Sequence, residues 1–402
     1  MLPRPLGRIL ALTALAPLLG ALVGMPVAPA VAAGTASRDT VWQVGSATSF
    51  RVLGHGYGHG HGMSQYGAEG AARQGLDHRR ILAFYYPGTR LDDAGGRIRV
   101  WLSAADPRAI EVAATDGLTL IDDGRPAGDR RVPLDDAGVD RWRLTGSVLR
   151  AHDDAGWRRV LQVRGTGAFA AGGRPIRLLS VSGTPSYRGR LYVARIPSGQ
   201  PVVVNALGLE TYLRGVVPRE IPASWSPAAV QAQAVAARTY AVFERFPGNT
   251  TYDLCDTGAC QVYAGADAEQ PASDAAIEAT EHEILTADGE PAFTQFGSSN
   301  GGWSAAGSQP YLRAVEDPYD GWSGNPVHTW RTRLSVASIE KAYPTLGELR
   351  SVRVTGRDGN GDWGGRVGGV TLVGTDATVR VSGDAFRSTF GLRSTWFTLR
   401  TS

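Results

Sequence analysis

Cysteine is almost absent from this chain: there are two, Cys255 and Cys260, in 402 residues. That scarcity excludes a scaffold stapled by several disulfides and leaves too few thiols for a structural zinc site, which normally takes four ligands. Lysine is rarer still, with Lys341 the sole example, so arginine carries nearly all the positive charge. Against 41 basic side chains stand 38 acidic ones, and a net charge of +3 is too small to mark a nucleic-acid binder. Hydrophobic residues make up 43% of the chain, which excludes a disordered class and suffices for one large or two modest domains. Long apolar runs are missing everywhere except at the amino terminus. There Arg4 and Arg8 precede an apolar stretch from residue 9 to about residue 27, and the small-residue cluster at 28–33 offers a signal-peptidase site near Ala32. Residues 1–32 therefore read as a signal peptide, 33–45 as a spacer, and the remainder as a secreted protein. The alternative is an uncleaved anchor, since the run approaches the length of a membrane span.

Residues 205–241, NALGLETYLRGVVPREIPASWSPAAVQAQAVAARTYA, are the most informative stretch. Glu220 stands between Pro218 and Pro222, each of which biases the residue before it toward extended geometry, so the acid is expected on a stiffened loop. Ser226-Pro227 then reads as a helix N-cap and first helical residue, opening a helix through Phe243. Its alanines, Ala229, Ala232, Ala234, Ala236 and Ala237, permit close approach of backbone or ligand, while Gln231, Gln233, Arg238 and Tyr240 supply hydrogen-bonding groups. Glu210 is a second candidate acid, although a surface charge is the commoner fate of a glutamate. The plain alternative for Glu220 is a carboxylate paired with Arg219 or Arg214, which would lower its pKa and spoil it as a proton donor.

The pattern YL-x-G-V-x-P-x-E, then Trp225, then AVQAQAVAARTYA, resembles the stage II sporulation protein D family, the SpoIID/LytB domain. Three more segments share the likeness: CQVYAG at 260–265, FGSSNGGWS at 296–304 and GHGHGMSQYGA at 58–68. The resemblance implies a peptidoglycan lytic transglycosylase whose acid is Glu220, working on cell-wall glycan strands without a cofactor. A single glutamate would protonate the leaving glycosidic oxygen, then take the proton of the muramyl C6 hydroxyl as that hydroxyl attacks C1, leaving an anhydro-muramyl end. This contrasts with the carboxylate pair of ordinary glycosidases. Ile221, Trp225 and Val217 are the expected apolar wall that keeps the acid protonated. Arg238, Gln233, Tyr240, Gln261, Tyr263, Ser299 and Asn300 are the expected glycan contacts. The LytB name implies a rival role, that of a non-catalytic wall-binding partner of a hydrolase such as an amidase. In the family the glycine-histidine signature commonly follows the catalytic segment, whereas here it precedes it, so the amino-terminal segment is expected to dock beside FGSSNGGWS.

The expected class is α+β: a mixed β-sheet core with a catalytic helix after the acidic loop, plus a β-rich subdomain. Residues 46–90 form the glycine/histidine signature and helices at 64–74 and 77–86, packed on the catalytic domain. The β-rich subdomain, 91–190, is marked by alternating runs such as IRVWL, IEVAA and LYVARI between Gly, Pro and Asp turns. The catalytic domain takes 191–402, with another helix at 271–282.

Within the run GHGYGHGHG, His55, His59 and His61 invite a metal reading, but each is flanked by glycine and no acid lies in the run to orient a ring. The spacing also lacks the phosphate-loop pattern and its lysine. The favoured reading is a substrate-side loop in which glycines let the backbone approach a sugar while His59, Ser64 and Gln65 direct hydrogen bonds. The other reading is a turn whose histidines merely pack. Ser64 is a poor nucleophile candidate because GMSQYG misses the G-x-S-x-G elbow. In an exported protein, Cys255 and Cys260 would close a short disulfide across DTGA, and no metal is expected. A zinc site is the alternative: the resemblance implies a histidine directly before the second cysteine in some members, and this chain has Ala259, leaving Asp256 or His282 to serve.

Overall fold

The structure, a computed structural model, describes residues 39–124, 129–245 and 251–401. The expected signal peptide and the spacer up to residue 38 lie outside the described residues. The fold is α+β.

Seven helices lie among the described residues: α1 (Gln65–Arg73), α2 (His78–Tyr85), α3 (Leu209–Glu220), α4 (Pro227–Glu244), α5 (Pro271–Ala279), α6 (Val336–Ala342) and α7 (Gly383–Thr389). Local chemistry explains where several begin. The Ser64 and Asp77 side chains accept from Gly67 N–H and Arg80 N–H and so cap α1 and α2. Pro227 takes the first position of α4, where its missing N–H is not needed. The α4 alanines at 229, 232, 234, 236 and 237 are fully buried, and α1, α2, α3 and α5 pack around them. Small residues set these close approaches: a Cβ on Gly70 of α1 would strike the Tyr319 carbonyl, and one on Gly215 of α3 would strike Tyr263.

The acid lies elsewhere than a loop. Glu220 is the last residue of α3, and Pro218 sits inside that helix. Proline costs about 3 kcal/mol in a helix interior because it cannot donate to the carbonyl four residues earlier, here Arg214, yet α3 runs two residues past it with Val216 and Val217 buried in the core. Pro222 does act as expected. The residue before it, Ile221, is extended at φ −134°, ψ 143°.

A seven-stranded sheet runs in the order Leu254–Cys255, Arg97–Trp101, Pro201–Gly208, Arg190–Arg195, Gly167–Ala170, Thr119–Asp122, Arg130–Pro133. Its neighbours pair antiparallel except the first two strands, which are parallel. Strands from either side of position 190 thus share one sheet, which continues directly into α3. Its apolar face joins the helices in one large core that includes Tyr212, Val216, Val217 and Ile221.

A second core, with Phe50, Val52, Trp330, Leu334, Phe386, Phe397 and Leu399, is built from both ends of the described chain. Ser49–His55 lies between Thr329–Ser335 and Phe397–Thr401, antiparallel to both. The glycine-histidine run leaves this sheet and reaches the α-helical half. Met63–Ser64 pairs parallel with Phe296–Gly297, and bridges join Tyr57 to Ser299 and His61 to Ala305. The amino-terminal signature and FGSSNGGWS therefore lie side by side.

Candidate active site

The end of α3 places the Glu220 side chain in a cleft of about 250 Å³, lined also by His59, Tyr240, Cys260, Gln261, Val262, Gln295 and Phe296. Val262 N–H donates to Glu220 Oε1 at 3.1 Å. Burial raises the Glu220 pKa above the ordinary carboxylate value, opposed by the Val262 N–H, by a hydrogen bond from Gln65 and, least, by Arg219. Of the nearby basic groups, exposed Arg219 acts on the acid only weakly, and two others are engaged elsewhere. Arg214 faces Asp274 at 3.9 Å, and Arg238 pairs with Glu210 at 2.7 Å. The expected wall of Val217 and Ile221 is buried, and Trp225 lies against the ring of Tyr66.

Two further side chains shape the cleft. His59 is held neutral, its pKa pushed down to about 4 by burial and then by the adjoining His61, Arg366 and Arg387. Its Nδ1 accepts His61 N–H at 2.9 Å, so the ring proton belongs on Nε2, on the side of the Phe296 backbone. Burial, with Glu244 nearby, raises the Tyr240 hydroxyl to about 12 and keeps it a hydrogen-bond donor.

Cys255 and Cys260 form a disulfide. It closes the loop immediately before Gln261 and Val262, and so bounds the segment whose N–H meets Glu220. The three histidines of the run do not converge. His59 stacks on His61, whereas His55 contacts Asp362, Trp363 and Trp396.

Of the residues expected to face glycan, His59, Tyr240 and Gln65 are at or beside the cleft. The rest are corrections, because their side chains are buried inside the protein and away from the cleft. Arg238 is fully buried and binds Glu210 and the carbonyls of Ile277 and Glu283. Tyr263 donates to Asn205 Oδ1 at 2.7 Å. Gln261 reaches the cleft only along its backbone, since its side chain accepts from Tyr212 and donates to Ala237 O. Gln233 accepts from Gln65 Nε2 at 3.3 Å.

Ser64, Ser299 and Asn300 instead meet a buried acid pair that sequence reasoning missed. Asp320, fully buried, accepts from Ser64 Oγ at 2.6 Å, Ser299 Oγ at 2.8 Å, Asn300 N–H at 3.2 Å and Asn325 Nδ2 at 3.1 Å, and it faces His328 Nδ1 at 2.8 Å. Asp317 accepts from Tyr85 OH at 2.8 Å and Asn300 Nδ2 at 2.6 Å, and burial beside Asp320 lifts its pKa to about 6. The pair staples the signature to the FGSSNGGWS segment, and thereby holds Gln65 and His59 beside Glu220. Nothing in VEDPYDGW flags this role beyond three acids next to a turn.

Residues 198–286 match the family described as SpoIID, stage II sporulation protein, and this span holds Glu220, α4 and the disulfide. The chain carries a SpoIID-family domain. Among curated proteins it is 35% identical over 139 residues to the amidase enhancer of Bacillus subtilis (strain 168), covering 33% of this chain and 19% of that protein. It is 30% identical over 172 residues to stage II sporulation protein D of the same organism, covering 35% and 49% respectively. Stage II sporulation protein D of Bacillus amyloliquefaciens is 28% identical over 221 residues, or 48% of this chain and 60% of the relative. The chain thus spans between a fifth and three fifths of the length of these relatives. The SpoIID-family likeness supports a role connected with the cell wall.

Proposed function

We propose that the chain is an exported peptidoglycan lytic transglycosylase in which Glu220 is the sole acid and base. The supporting observation is the Glu220 carboxyl: half-buried, raised in pKa by that burial against a weak opposing effect of Arg219, and open to a cleft, with no arginine in an ion pair with it among the described residues. A protonated Glu220 gives its proton to the glycosidic oxygen as the bond to C1 breaks. The resulting carboxylate then takes the proton of the C6 hydroxyl while that oxygen bonds to C1, so the acid is regenerated and no water is consumed. The Val262 N–H on Oε1 stabilises the carboxylate between the two steps, and His59 and Tyr240 present hydrogen-bonding groups to the sugar. The second reading, a wall-binding enhancer of an amidase, is favoured by the name of the Bacillus subtilis relative and needs the cleft but no proton donor.

Mass spectrometry of products from peptide-stripped glycan strands separates the two. We expect anhydro-muramyl ends from the native chain and a loss of about 10²–10⁴-fold in rate for Glu220→Gln. Reducing ends would indicate hydrolysis. No product from the native chain, with undiminished stimulation of an amidase by Glu220→Gln, would establish the enhancer.

A further inference from the structure

We propose that the second core carries a saccharide-binding subsite built on Trp363, with Asp362, His55 and Arg331 as its polar partners. The subsite rests on the glycan reading above and extends it: it takes a distal part of the strand on which Glu220 acts.

The site is a cleft of about 440 Å³ lined by Gly54, His55, Trp330, Arg331, Asp362 and Trp363, among others. Trp363 is 38% exposed and has φ 58°, ψ 14°, the left-handed region, where a bulky aromatic is an outlier. Glycines stand close by at 359, 361, 364 and 365, all at positive φ, yet the position between them holds the largest side chain. Backbone strain at an exposed ring points to a use for that ring. The indole lies 4.9 Å from the His55 ring, which in turn lies 4.6 Å from Trp396, so the platform is backed by a packed stack. His55 Nε2 sits 3.2 Å from Asp362 Oδ2, and the Asp362 carboxylate remains 70% exposed. On the floor, Gly54 has no Cβ to collide with the Trp330 indole.

An exposed aromatic face bordered by a solvent-facing carboxylate and the exposed Arg331 suits a sugar: the ring C–H face stacks while hydroxyls donate to the acid and accept from the guanidinium. A purely apolar ligand would leave both charges unused. The position also fits a polymer. His55 and the Glu220-cleft residue His59 are four residues apart on one run, so their Cα atoms are at most about 14 Å apart, with the half-exposed Tyr57 between them.

The test uses the full chain carrying Glu220→Gln, so that nothing is cleaved, and two probes: pelleted peptide-stripped glycan strands, and a soluble β-1,4-linked N-acetylglucosamine tetramer followed by calorimetry. Adding Trp363→Gly is expected to weaken binding about tenfold, and Trp363→Phe to recover part of it. Because glycine relaxes the strained φ, Trp363→Gly should melt no lower than its parent, which a merely structural tryptophan would not allow. If it does melt lower, Asp362→Asn on the exposed carboxylate decides: a several-fold loss supports the subsite and unchanged binding overturns it. Equal binding with and without the Trp363 ring overturns the subsite alone. Failure of the Glu220→Gln parent to bind strands, with no product from the native chain, overturns both it and the glycan reading.

Discussion

Asp320→Asn should be among the costlier conservative changes in this protein. The substitution keeps shape but places an amide NH₂ where the carboxylate accepts on both sides. One oxygen faces Ser64 Oγ and Asn300 N–H, and the other faces Asn325 Nδ2 and His328 Nδ1. His328 can turn acceptor by changing tautomer, but Asn325 is fixed by its own Oδ1, which accepts Val327 N–H, so its amide keeps pointing at the new one. Two bonds to a charged acceptor are lost or inverted, at about 1.5–3 kcal/mol each, and we expect a total of about 3–5 kcal/mol. For the roughly 350 described residues the melting entropy is about 0.7 kcal/mol/K, so Tm should fall by about 4–7 °C. Calorimetry reads the shift. Imidazole titration by NMR supplies an independent sign: Asp320 raises the His328 pKa, so it must drop in the variant. A Tm change under 1 °C together with an unmoved His328 would refute the view that this acid staples the signature in place.

Three further outcomes follow from the site. Glu220→Gln should raise Tm at neutral pH: a carboxyl whose folded pKa is raised costs stability as pH climbs through that pKa, so the gain should vanish near pH 4 and be present at pH 7 in paired melts. His59 has the opposite sense, since its folded pKa of about 4 lies below the unfolded 6.5. Native stability should therefore decline as pH falls from about 6.5 toward 4, and His59→Gln should flatten that slope in denaturant titrations. Replacing both Cys255 and Cys260 by serine opens a six-residue loop and should cost about 2 kcal/mol, with the proposed glycan cleavage slowing as the Val262 N–H loses its anchor; unchanged cleavage and stability would contradict that link.

Much of the fold was legible because its signals were local. Ser64 and Asp77 mark helix starts by side-chain capping and Pro227 by its ring, chemistry that does not depend on the rest of the chain, whereas the Ser226 side chain makes no cap bond. Pairing of the signature with FGSSNGGWS followed from the displaced order of two motifs. What failed were judgements about direction. Glu220 closes a helix because tertiary packing of α3 outweighs the local penalty of Pro218. Arg238, Gln233, Ser299 and Asn300 carry groups that could reach for sugar, but a polar side chain in a small-residue core serves equally to satisfy a buried partner. The partners, Glu210, Asp317 and Asp320, are far away in sequence or carry no motif.

The placement of Ser49–His55 between two strands from the other end of the described chain has a temporal consequence. Val52 and Leu399 are about 350 positions apart, so bringing them together costs about 5 kcal/mol of chain entropy before any contact repays it. A polypeptide emerging from its amino terminus must leave that strand unpaired until residues 329–401 arrive, and the cleft histidine without its neighbours until residues 296–305 do. The family-matching segment at 198–286 lacks His59, Gln295 and Phe296, so the cleft around the proposed acid is incomplete on every unfinished copy.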